Sequence, residues 1–103
     1  MEKVIRDGLV AVLYAPGFGA GWFSWHDIED LVYDPVVVDM VEREEDPDNI
    51  VKYCVSKYSD SHYYGGADQL AIQWLPVGTR FVINEYDGSE SVLTEEDMNW
   101  GVA

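Results

Sequence analysis

Gly17, Gly19 and Gly21 fall in the run PGFGAG, followed at once by Trp22 and Trp25. Glycines at this spacing let successive backbone N–H groups face one concavity, which is how a chain cradles an anion. A helix starting near Asp27 would reinforce it. Phe18, Trp22 and Trp25 could supply flat faces for a base or sugar. A dinucleotide fingerprint needs a further glycine where Trp22 stands, and a phosphate loop needs Gly-Lys-Ser/Thr, which is absent. A structural reading competes: the glycines permit a tight turn and the aromatics plug the core beside it. Arg80 is the only basic residue after Lys57. It could neutralise a bound phosphate or carboxylate, or pair with an acid on a neighbouring strand, such as Glu85 or Glu90.

Other chemistries find less to work with. His26 stands three and four residues before Glu29 and Asp30, but a catalytic zinc site needs a third protein ligand. Asp46 to Asp48 lacks the glycine and closing glutamate of a calcium loop. Cys54 lies on an inward stripe, as a small core hydrophobe. No G-x-S-x-G elbow is present. Glu85 and Asp87 would share one face of a strand, and paired acids can do acid–base work; a charged strand end is the commoner meaning. The expectation is a protein that is not an enzyme and uses no cofactor and no metal.

The elements that must hold these residues are partly legible. Leu9–Ala15 (LVAVLYA) is apolar throughout, as in a strand buried on both faces. Asp7-Gly8 is a hairpin signal that pairs it with Lys3–Arg6. Asp34-Pro35 and Asp46-Pro47 each mark a helix start, with aspartate as the cap and proline in the first turn. Val37, Met40 and Val41 then repeat at helical spacing, as do Ile50, Tyr53, Cys54 and Tyr58. Asp27–Tyr33 reads as a short helix or turn. Leu70, Ile72 and Trp74 alternate, Pro76–Thr79 is a turn, and Phe81 and Ile83 alternate again. Asp87-Gly88 signals a second hairpin, Ser91–Leu93 a last strand, and Thr94 onward a helical turn. The expected fold is α+β: a small antiparallel or mixed sheet of 4-5 strands with two or three helices packed on one face, in one domain over residues 1–103.

The 103 residues carry a net charge of −14 and are 48% hydrophobic. That is too apolar for a disordered acidic tail. The acidity argues against direct binding of a nucleic-acid backbone. No apolar run approaches a membrane span, and Met1–Arg6 lacks the apolar stretch of a signal peptide. A lone cysteine fits a reducing compartment. Acids crowd Asp27–Asp48 and Glu85–Asp97. Such a face could imitate DNA phosphates and occupy a basic groove, or simply keep the surface solvated.

Two stretches carry a resemblance: Val12 to Trp25, with its APGFGAGW core, and Trp74-Leu-Pro-Val-Gly-Thr-Arg-Phe81 running on to Glu85-Tyr-Asp-Gly88. With them the chain resembles a group of small proteins encoded in tailed-phage and prophage genomes. The resemblance implies a product acting in the cytoplasm of a phage-infected bacterium, and no mechanism. Small acidic phage proteins suggest, by analogy, a counter-defence role. The leading expectation is capture of a nucleotide-like ligand by Gly17, Phe18, Gly19, Gly21, Trp22, Trp25 and Arg80, with Trp22→Ala abolishing binding and leaving the fold intact. The alternative is an acidic inhibitor of a basic host defence protein, and a third is a structural or accessory virion component. Surplus aromatics also make a homodimer plausible.

Overall fold

The computed structural model describes residues 2–17, 22, 29–58, 64–86 and 89–95. In chain order they form β1 (Ile5–Arg6), β2 (Leu9–Tyr14), α1 (Asp30–Tyr33), α2 (Pro35–Glu42), α3 (Pro47–Lys57), a 3-10 turn (Gly65–Gln69), β3 (Ala71–Pro76), β4 (Phe81–Tyr86) and β5 (Ser89–Thr94).

The class is α+β, and the strands divide into two antiparallel sheets, β1-β2-β3 and β4-β5. The apolar run of β2 explains the division. It has no polar face to turn to water, so both faces need cover. Ala11 and Leu13, with Ala15 just beyond the strand, face α2 and α3, packing with Val37, Val38, Met40, Ile50 and Cys54. Val12 faces the other way, toward Leu75 and Val92, with Phe81 and Ile83 packed around them. α2 and α3 therefore cover one face, and the β4–β5 hairpin covers the other together with Val32 and Tyr33 of α1. Burying each fully enclosed Val, Leu, Ile or Met side chain among these contributes about 1.5–3 kcal/mol.

Local signals set the elements. Asp7 and Gly8 both take positive φ, 52° and 78°, the twist a two-residue hairpin turn requires. That turn registers Ile5 against Val10. β3 returns beside β2 with Trp74 opposite Ala11 and Ile72 opposite Leu13, so both sit on the helix side. Asp34 caps α2 and Asp46 caps α3 through their side chains, each followed by proline in the first turn. α2 ends in a Schellman arrangement: Glu45 N–H donates to Met40 O at 2.9 Å and Glu44 N–H to Val41 O at 3.1 Å. Glu44 occupies its left-handed position at φ 55°, where glycine is the usual residue.

At Pro76–Thr79 the expected turn is present, with Thr79 N–H donating to Pro76 O at 3.0 Å and Gly78 at φ 88°. Thr94 ends β5, Glu95 after it is helical, and the rest of the expected helical turn lies outside the described residues. The Asp87-Gly88 turn and the tail beyond Glu95 lie outside the described residues, as do His26 and His62.

Candidate functional site

Two buried carboxylates organise the polar chemistry of this fold. Glu90 is the second residue of β5 and shares the inward face with Val92. The hairpin carries it across the end of β2, where Glu90 N–H donates to Ala15 O at 2.8 Å and Ser89 Oγ to Pro16 O at 2.6 Å. Its side chain, 1% exposed, then accepts from two directions. Ala15 N–H reaches Oε1 at 2.9 Å, and Trp22 N–H reaches Oε2 at 2.9 Å. One carboxylate thus bridges both ends of the glycine-rich segment. A carboxylate aimed at backbone donors forms hydrogen bonds roughly twice as strong as neutral ones.

That geometry corrects the reading of Trp22 as a stacking ring at an open cradle. The anion held by the N–H groups at its neck is the chain's own Glu90. Trp22 is fully buried, donates its indole N–H to Leu31 O at 2.9 Å and packs against Tyr64 at 6.0 Å between ring centroids. Its ring belongs to the core and presents no face to a ligand, so Trp22→Ala would damage the fold. Gly17 is needed for close approach: a Cβ there would stand 1.0 Å from Gln69 Oε1, forcing that side chain aside. Phe18, Gly19, Gly21 and Trp25 lie outside the described residues.

Arg80 is not brought to this segment either. Its guanidinium meets Glu95, at 3.5 Å. Glu95 lies five residues along the chain from Glu90, roughly 17 Å at about 3.4 Å per residue. The expected alliance of Arg80 with Gly17 and Trp22 is therefore absent.

The second carboxylate is Asp34, whose side chain is wholly inaccessible. Oδ1 accepts from Val36 N–H at 2.9 Å and Val37 N–H at 3.2 Å. The Tyr53 hydroxyl approaches both oxygens, at 3.0 and 2.9 Å, and the Tyr58 hydroxyl donates to Oδ2 at 2.5 Å. Lys57 Nζ completes the set at 3.2 Å. Tyr53, Lys57 and Tyr58 all come from the end of α3, so one carboxylate ties the start of α2 to the end of its neighbour. Burial opposes ionisation of Asp34, but the bonds from Tyr58, Tyr53, Val37 and Lys57 outweigh it and hold the group below its ordinary value. Burial first, then the bond to Asp34, pushes the Tyr58 phenol up. The Cys54 thiol, buried beside this node, is pushed up to about 12 chiefly by desolvation, which keeps it an unreactive core group.

Beside the node opens a cleft of about 320 Å³, lined by Glu2, Asp30, Asp34, Pro35, Val36, Lys57 and Tyr58. Sequence reasoning found Asp34 only as a cap and missed both the cleft and Glu90. A signal existed for each. Tyr53 and Tyr58 bring polar tips to the inward stripe of α3, and Glu90 alternates in phase with Val92.

Among the described residues, no three of His, Cys, Asp and Glu stand together as metal ligands, and no helix is long and apolar enough to cross a membrane. Compared with protein-family models, curated proteins and solved structures, the chain gives no match.

Proposed function

We propose that this protein is a non-catalytic binding module that engages a basic protein partner through the acidic corner where α2 gives way to α3. The observation that carries the reading is the placement of the acids. Asp39, Glu42, Glu44, Asp46 and Asp48 are all exposed across that corner, and only Asp34 and Glu90 are buried among the described acids. Arg6 pairs with Glu42 and Arg43 with Asp39, which leaves Glu44, Asp46 and Asp48 as the corner's net charge, with Lys52 four residues beyond Asp48 on α3. Lys57 and Arg80 stand against Asp34 and Glu95, and Lys3 lies over the Tyr33 ring at 4.6 Å. A surface field of one sign steers a basic partner and speeds its association. Glu44 adds support. An acid kept at a left-handed position that glycine fills more easily is a choice that stability alone does not favour.

The resemblance to small phage proteins makes a host defence protein, in the cytoplasm of an infected bacterium, the class of partner. Capture of a nucleotide-like ligand has weaker support, since Trp22 sits in the core and Arg80 meets Glu95 at 3.5 Å. The test is affinity capture from an extract of susceptible bacteria, followed by titration of the purified partner in rising salt. The expected partner is basic. Its affinity should fall at least about tenfold as salt rises past the point where the Debye length drops below about 8 Å. It should fall similarly in a variant carrying Asp39→Asn, Glu44→Gln and Asp48→Asn. An affinity indifferent to both changes would overturn the proposal.

A further inference from the structure

The 320 Å³ cleft beside Asp34 is at the small end of ligand pockets, which run from about 300 to 1,000 Å³. It suits one long side chain or a small amine better than a nucleotide. Its walls are of two kinds. Pro35 and Val36 are apolar, with Val36 44% exposed, and Tyr58 adds an aromatic wall. Glu2 and Asp30 are exposed carboxylates, and neither meets a cation among the described residues. Asp30 is near enough to Tyr58 for its charge to disfavour the phenolate.

Lys57 is the cleft's one basic group, and its charge is already matched. Its ammonium lies 3.2 Å from Asp34 Oδ2 and over the Tyr53 and Tyr58 rings at 5.8 and 5.6 Å. That leaves Glu2 and Asp30 as the carboxylates of the cleft without a cation among the described residues. The cleft also lies at the carboxyl end of α3, where the helix dipole favours a cation. The opposing amino end of α2 is capped by Asp34.

We infer that this cleft is a receptor for a single cationic side chain, an arginine or lysine of the basic partner, with its stem on Pro35, Val36 and Tyr58 and its head between Glu2 and Asp30. The inference rests on the proposed function and names the point at which the partner is held. Arginine fits better than lysine. Its planar head can meet two carboxylates at once and can stack on a ring.

The probes are N-acetyl-arginine amide and its neutral counterpart N-acetyl-glutamine amide, titrated into isotope-labelled protein and followed by NMR. Saturable shifts centred on Val36, Lys57 and Tyr58 with the arginine probe alone are expected. The double variant Glu2→Gln, Asp30→Asn should weaken that binding by about fivefold or more, because rim charges act through short-range attraction that neutral amides lack. Asp68→Asn, in the 3-10 turn and outside both the cleft and the acidic corner, should leave it unchanged. No saturation, equal shifts from both probes, or wild-type binding by the double variant would each overturn the inference. A basic partner that still binds the double variant fully but loses the acidic-corner variant would remove the cleft and leave the proposed function standing. A partner indifferent to both salt and corner would remove that function, and the arginine probe would still decide the cleft.

Discussion

Glu90 and Asp34 are both all but sealed from solvent, at 1% and 2% exposure, yet their partners differ in kind. Glu90 accepts from backbone N–H groups at two points of one loop. Asp34 accepts from a helix start and from three side chains of another helix. The first arrangement clamps Ala15 and Trp22, the residues on either side of Pro16–Gly21, to one carboxylate. The second joins two elements that already hold themselves together by internal hydrogen bonds. The difference predicts unequal tolerance. Losing the Glu90 carboxylate breaks the bonds to Ala15 and Trp22 together, whereas the helix pair can lose one of the several bonds to Asp34 and persist.

The largest effect should come from the Glu90 side. Trp22→Ala removes a buried indole from the core and should cost about 3–5 kcal/mol in denaturant unfolding. Glu90→Gln should cost about 1–3 kcal/mol, because the amide nitrogen would face a backbone donor and leave it unsatisfied. If Glu90→Gln unfolds at the wild-type midpoint, the bridge from Ala15 to Trp22 contributes nothing to stability.

A middle effect belongs to Asp34, and it depends on pH. Its folded carboxyl titrates below the ordinary 3.8. The stability it contributes is therefore fully present above that value and is lost as pH falls through it toward the lower folded value. Asp34→Asn keeps a capping oxygen and removes the charge. It should lower stability at neutral pH and flatten the acid limb below the ordinary carboxyl value of 3.8. A variant with an unchanged acid limb would show that the surface carboxylates set it instead.

The smallest effect sharpens the comparison from outside both nodes. Glu44→Gly relieves the left-handed residue after α2 and should stabilise by less than about 1 kcal/mol. It should at the same time weaken binding of a basic partner. A variant that gains stability and loses no affinity would separate the acidic corner from recognition.

Legibility in the sequence followed the range of the interaction. Asp7-Gly8, Asp34-Pro35 and Asp46-Pro47 announced a turn and two caps because each acts on its immediate neighbours. The α+β class followed from their order. The division into two sheets was hidden, although the doubly apolar Leu9–Ala15 run implied that something must cover its second face. Glu90 was hidden most deeply. Its partners Ala15 and Trp22 lie 75 and 68 residues away, and no local pattern marks a carboxylate that reaches so far. The same distance misled the reading of Trp22, since an aromatic after glycines looks alike whether it stacks on a ligand or fills a core. Asp34 was half visible: its cap is local, and its tyrosines lie 19 and 24 residues on.

The central position of β2 has a consequence for how the chain comes to be made. Its hairpin partner β1 forms at once, but β3, which pairs Tyr14 with Ala71 and Leu9 with Pro76, is synthesised only after the helices. At about 5–20 residues per second, Leu9–Ala15 waits seconds for that partner and longer for the covering hairpin. During the wait it is a short, uncharged, β-prone segment of the kind that pairs with copies of itself. The acids that follow in Asp27–Asp48 emerge before β3 does, so mutual repulsion between nascent chains is in place while that segment is still unpaired.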